Sequence, residues 1–215
     1  MTDVILYPLV EINQELFLPK IVDHEAERQR LAAAACRTIA KAGLEGATLR
    51  AIAEEAGCST GPLVHYFGDK SQIMVHALRH AARETGLRML HAHGREKGRA
   101  ALRAIAEEGL PLDERRRDEW RVWLAFWGQA IAGPELAAEQ NQRYTAWRRL
   151  FQAVVERTQT DGDLDAHVDV ERASELLVAF IDGVGIQAMF EPTRFPRRRQ
   201  LELLDAHLDR LFSTA

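Results

Sequence analysis

Residues 48–70 read Thr-Leu-Arg-Ala-Ile-Ala-Glu-Glu-Ala-Gly-Cys-Ser-Thr-Gly-Pro-Leu-Val-His-Tyr-Phe-Gly-Asp-Lys (TLRAIAEEAGCSTGPLVHYFGDK). Thr48 suits an N-cap, and Leu49, Ile52, Ala53 and Ala56 follow it with the spacing of one helical face. Gly57 stops that helix, because glycine enters the left-handed region at little cost. Ser59 then opens a second short helix that turns Leu63, Val64 and Phe67 inward. Gly68 closes it, and Asp69 caps a third helix starting at Lys70. Two short helices around a glycine-containing turn form a helix-turn-helix, whose second helix enters the major groove of DNA.

The composition sets outer bounds. The chain has 215 residues, 47% hydrophobic content and a formal net charge of -4, enough for one large or two small domains with a real core. Its two cysteines, Cys36 and Cys58, supply no disulfide framework and suit a reducing cytoplasm. No apolar run is long enough to predict a membrane span, and no basic-then-apolar leader opens the chain. Residues 24–80 hold seven Lys/Arg against six acids, while residues 1–23 carry -3. A DNA-binding reading therefore rests on the motif and not on a basic patch.

The run AIAEEAGCSTGPLVHYFGDKSQIM resembles the DNA-binding signature of the TetR family of transcriptional regulators, and its STG-xxx-HYF-x-DK part is similar to the BetI-like branch. VWLAFWGQA and LVAFIDGVGIQAMF resemble that branch's C-terminal domain, so the likeness spans most of residues 25–212. It implies an all-α fold of about nine helices, with a helix-turn-helix head at residues 24–93 and a ligand-binding and dimerisation bundle at 94–215. It also implies a homodimer joined through residues 169–190 and 196–212, acting on a palindromic operator in double-stranded DNA. Matching tyrosine and lysine residues in that family hold the DNA backbone, which points to Tyr66 and Lys70.

Roles follow from chemistry as well. Thr60, Pro62 and His65 project from the second helix as base-edge candidates, and Gly61 lets DNA approach the helix start closely. Pro62 is tolerated because it falls in the first turn, and Ser59 can still bond the N–H of Gly61. Thr48, Tyr66 and Lys70 are placed for phosphates, and Arg50 can reach either. Phe67 reads as core, and Cys36 as a small buried side chain.

All four tryptophans fall in two later helices. Trp120, Trp123, Phe126 and Trp127 come from one; Tyr144, Trp147 and Phe151 from the next. They read either as plain core or as the wall of a small-molecule pocket. In the second reading the effector is cationic or aromatic, since such walls bind ammonium groups by cation–π attraction, in line with the choline response of the BetI-like branch. Asp182, in an otherwise apolar helix, needs a partner, with Arg148 and Arg149 as candidates. Gly183 and Gly185 allow another backbone to approach.

Enzyme signatures are missing. There is no HExxH, no nucleophile elbow and no phosphate loop, and no cofactor is called for. His76 and His80 have chelating spacing, with His91 and His93 nearby, but no cysteine or carboxylate joins them at ligand spacing. A helical adaptor that does not bind DNA is the main rival reading, and a metal-dependent enzyme the lesser one. Residues 1–23, with two prolines and several large apolar side chains, read as an arm that docks on the body or a second subunit.

Overall fold

A computed structural model of the chain describes residues 23–213, which form nine α-helices and no strand. They are α1 (His24–Gly46), α2 (Leu49–Ala56), α3 (Thr60–Phe67), α4 (Lys70–His93), α5 (Gly98–Gly109), α6 (Glu114–Ala132), α7 (Pro134–Thr160), α8 (Val170–Phe190) and α9 (Arg197–Phe212). The arm reading at 1–23 lies outside the described residues except for Asp23, which caps α1 by accepting from the N–H groups of Glu25 and Ala26.

The caps follow the sequence closely. Thr48 accepts from Ala51 N at 3.1 Å, Asp69 from Gln72 N at 2.9 Å, and Asp113 from Arg116 N at 2.9 Å. Each such cap is worth about 1 kcal/mol. Helical geometry breaks at Gly43 (φ 69°), so α1 ends in a kinked last turn.

α1 packs on α2, α4 and α6, while α4 also meets α5 and α7. At roughly 1.5 Å per residue, α4 runs about 36 Å from the helix-turn-helix into the body. One continuous core results, from Leu31, Ile39, Ile52, Leu63 and Phe67 to Met89, Leu102, Ile105 and the tryptophans. A half-buried polar network ties α4, α5 and α6 together. Arg88 meets Glu108 at 2.8 Å and Glu119 at 2.6 Å, and Thr85 donates to Glu119 at 2.9 Å. Arg103 of α5 holds Asp205 of α9 at 2.8 Å.

Ala42 of α1 and Leu87 of α4 are exposed, and Met89 is buried on α4. α8 is long and apolar enough to cross a membrane by length and composition, although no such span is expected from the sequence. The apolarity has a local cause. Leu177, Ile181 and Val184 face the core, and Leu176 and Phe190 remain exposed on other faces, so the helix is apolar on more than one side.

Candidate nucleic-acid interface and aromatic cluster

α3 is only eight residues long and is anchored from beneath. Leu63 and Phe67 are buried against the head core, worth about 1.5–3 kcal/mol each. Gly57 supplies the left-handed residue (φ 65°) that turns α2 into α3. The outer surface is what remains. Thr48, Arg50, Ser59, Thr60, Gly61, His65 and Lys70 are all exposed, while Pro62 and Tyr66 are half-buried.

Two details depart from the sequence reading. Val64 points outward, 49% exposed, and joins Thr60 and His65 on the outer face. Ser59 occupies the N-cap position but makes no side-chain cap bond. Pro62 removes one of the two usual donors, and the bond expected to the other, the Gly61 N–H, does not form. Ser59 Oγ stays near Gly61, where an added Cβ would lie 3.6 Å from it.

Tyr66 and Lys70 are both held in place. Tyr66 Oη is 2.8 Å from His24 Nδ1, and its ring meets His65 edge-on at 5.0 Å. Its ring thus packs toward α1 while its hydroxyl stays near the surface. Lys70 Nζ donates to Leu44 O at 3.2 Å, across to the end of α1. His80 is half-buried, and its ring nitrogen sits 3.3 Å from Gln29 Oε1. His76 packs on the Phe67 ring at 5.0 Å. Among the described residues, no group of three or more His, Cys, Asp or Glu side chains is placed to hold a metal ion. Cys36 donates to Ala77 O at 2.9 Å, and burial pushes its thiol up to about 12, so it stays protonated.

The aromatic residues of α6 and α7 converge. Trp120, Trp123, Phe126, Trp147 and Phe151 are buried; Trp127 and Tyr144 are half-buried. Trp123 meets Trp120 at 5.3 Å and Trp147 at 5.7 Å, both edge-on. Trp120 Nε1 donates to Gly109 O at 2.9 Å. Gly185 of α8 abuts Trp120 so closely that a Cβ there would lie 2.0 Å from the indole. The close neighbour is therefore a side chain and not a backbone, and Gly183 has nothing within 4 Å of an added Cβ.

The centre of the cluster is a residue that sequence reasoning missed. Arg143 is almost fully enclosed, its side chain 2% exposed. Its Cζ lies 4.6–4.8 Å from the ring centroids of Trp147, Trp123 and Tyr144, and 5.8 Å from that of Trp127. Gln140, with its amide oriented to satisfy both ends, accepts from Arg143 Nη2 at 2.7 Å and from Arg143 Nε and Trp127 Nε1 at 3.2 Å. A signal did exist: Gln140, Arg143, Tyr144 and Trp147 share one helical face by their spacing.

Asp182 is paired with Arg143, not with either arginine expected. The separation is 3.7 Å, too long for a hydrogen bond. Arg148 acts on Asp182 only at longer range, and Arg149 is exposed. Burial holds the Arg143 guanidinium below its ordinary range and pushes the Asp182 carboxyl up, in each case more strongly than the partner's charge counters it. The pair is thus short of compensation.

Comparison with known proteins places these two sites in a common frame. A family model described as tetR-family bacterial regulatory proteins matches residues 31–77, and one described as the C-terminal part of BetI-type transcriptional repressors matches residues 98–213. The chain belongs to the TetR family, with a BetI-type C-terminal region. The TetR-type match covers α2 and α3, and the BetI-type match covers the aromatic cluster. The regulator BetI of Burkholderia lata is 30% identical over 206 residues, 92% of this chain and 100% of that one. A transcriptional regulator from Rhodococcus sp. Rha1 is 30% identical, with a TM-score of 0.75 over 86% of this chain and 95% of that one. One from Saccharomonospora viridis, solved with choline, is 25% identical, with a TM-score of 0.77 over 86% and 96%. This TetR-family chain is accordingly a helix-turn-helix transcriptional regulator.

Proposed function

We propose that this regulator represses transcription by seating α3 in the major groove of each half of a palindromic operator, and that a small organic molecule bound in the α6–α8 region releases it. In this reading residues 24–93 bind DNA and residues 94–215 bind the ligand and the second subunit. The observation that carries the reading is α3 itself, buried on Leu63 and Phe67 while Thr60, Gly61, Val64 and His65 stand exposed in one short helix. Thr60, Val64 and Pro62 suit contact with a thymine methyl, and His65 suits a guanine acceptor. Thr48, Ser59 and Lys70, which flank that helix, and Tyr66 near its C-terminal end take phosphates, and Arg50 reaches either.

Dimerisation through α8 and α9 is supported by the exposed Leu176 and Phe190 on α8, which leave apolar surface for a second copy. The choline held by the Saccharomonospora relative supports a small organic effector, and the aromatic residues of α6 and α7 are the wall we assign to it. The ligand acts by binding tighter to a dimer whose two reading helices no longer match the half-site spacing. α4 carries the change, since it joins the helix-turn-helix to the Arg88–Glu108–Glu119 network.

The test is fluorescence anisotropy on the protein's own promoter at two salt concentrations. Tyr66→Phe with Lys70→Ala is expected to weaken binding across sequences and lower the salt slope by about one, the share of the single cation Lys70. Unchanged affinity and slope would refute the phosphate assignment.

A further inference from the structure

The cluster of α6 and α7 has the composition of a cation cage, yet it already contains a cation. Arg143 lies among four aromatic rings, and Gln140 holds two of its donors from one side. An ammonium ligand entering here would have to expel the guanidinium or share the cage with a like charge, and either is costly in a buried setting. The unmet hydrogen-bonding capacity points the same way. Arg143 Nη1, Trp123 Nε1 and Arg148 Nε are buried donors with no partner, whereas Asp182 Oδ1 is the one orphaned acceptor beside them. Buried donors in this state gain most from an incoming oxygen.

We propose that Arg143 is the built-in occupant of this cage, so that the site refuses external ammonium groups and takes ligands that bring an anionic oxygen to the guanidinium. The inference rests on the aromatic cluster being the effector site. It departs from the choline held by the Saccharomonospora relative and from the cationic effector that the aromatic composition alone suggests. Arg143 is then the residue that sets ligand charge. Trp123 supplies the second donor, and Asp182 is the weakly held partner that an incoming carboxylate displaces.

Tryptophan fluorescence of the full-length protein tests this directly, because the reporters line the site. The probes are size-matched: phenylacetate against 2-phenylethylammonium, with choline and tetramethylammonium beside them. The wild type is expected to bind phenylacetate at least about tenfold tighter than its ammonium counterpart, and to ignore choline. Arg143→Ala is expected to lose phenylacetate binding and to gain saturable binding of tetramethylammonium in the emptied cage. Circular dichroism and operator anisotropy on the same samples establish that the variant is folded. Should Arg143→Ala not fold, Arg143→Gln takes its place, with loss of the carboxylate preference as the expected result. Wild-type binding of choline, equal binding of the matched pair, binding of neither, or a folded variant with unchanged preference would each overturn the proposal. Operator binding that persists through such a failure leaves the regulator reading standing. Phenylacetate binding that depends on Arg143 but does not change operator affinity overturns the effector-site reading and leaves the charge assignment of Arg143 in place.

Discussion

The helix-turn-helix and the aromatic cluster obey different kinds of rule. In the first, nearly every feature is local: a cap at Thr48, a left-handed glycine at Gly57, a buried pair on α3, a cap at Asp69. In the second, the decisive contacts join residues far apart in the chain, such as Gly185 with Trp120 and Arg143 with Trp123 and Asp182. The first can be written down from a sequence window. The second is settled only when three helices are packed together.

The sharpest way to break that contrast is Gly185→Ala. Its Cβ would fall 2.0 Å from the Trp120 ring, which is itself buried and pinned by its bond to Gly109 O. Overpacking of this kind is expected to cost about 3 kcal/mol in urea unfolding. The same substitution at Gly183, with open space around it, is expected to be close to neutral.

Next in size is the buried ion pair. Arg143→Met with Asp182 retained removes the Gln140 bonds and leaves the Asp182 carboxyl buried without its counter-charge, and is expected to cost about 3 kcal/mol. Arg143→Met combined with Asp182→Asn is expected to cost less than the two single changes summed, which a double-mutant cycle reads directly. The pair also has a pH signature. Asp182 takes up a proton more readily folded than unfolded, so its stabilising share is full below its unfolded pKa and is lost as pH rises through the folded one. Wild type is therefore expected to gain stability relative to Asp182→Asn as the pH is lowered from neutrality toward that range.

Gly57→Ala probes the local side of the comparison. An alanine at φ 65° is strained by about 1–2 kcal/mol, and the cost falls on the turn that presents α3. Operator affinity is expected to fall with it, while phenylacetate binding in the cluster stays unchanged.

The smallest effect is His80. Burial holds its imidazole below the usual 6.5, so the stability it contributes is complete above that value and is lost as pH falls through the lower folded value. His80→Gln is expected to flatten the acid limb of a thermal-unfolding profile as the pH falls below 6.5.

Legibility in the sequence follows the same division. The helices around residues 48–70 and their ends can be read from caps, glycines and apolar spacing, and the total of about nine follows from the family resemblance. Seven of the nine residues expected at the DNA surface are exposed, and Pro62 and Tyr66 are half-buried. Val64 faces outward against the sequence expectation, because an eight-residue helix has too few turns for periodicity to separate neighbouring faces. Ser59 holds the N-cap position that the sequence assigns it but lacks the bond to the Gly61 N–H. The aromatic residues were legible as a group, but not the arginine among them, since an arginine in a helix is by default solvated. Only packing of α6, α7 and α8 shows that Arg143 is enclosed.

The most direct test of the central claim is selection of bound duplexes from a random pool by the purified full-length chain, with the Thr60→Ala, Val64→Ala, His65→Ala triple variant alongside. The account predicts enrichment of an inverted repeat by the wild type and loss of its base preferences in the variant, with residual salt-sensitive binding. Failure of the wild type to enrich any sequence, or the same repeat enriched by the variant, would contradict it.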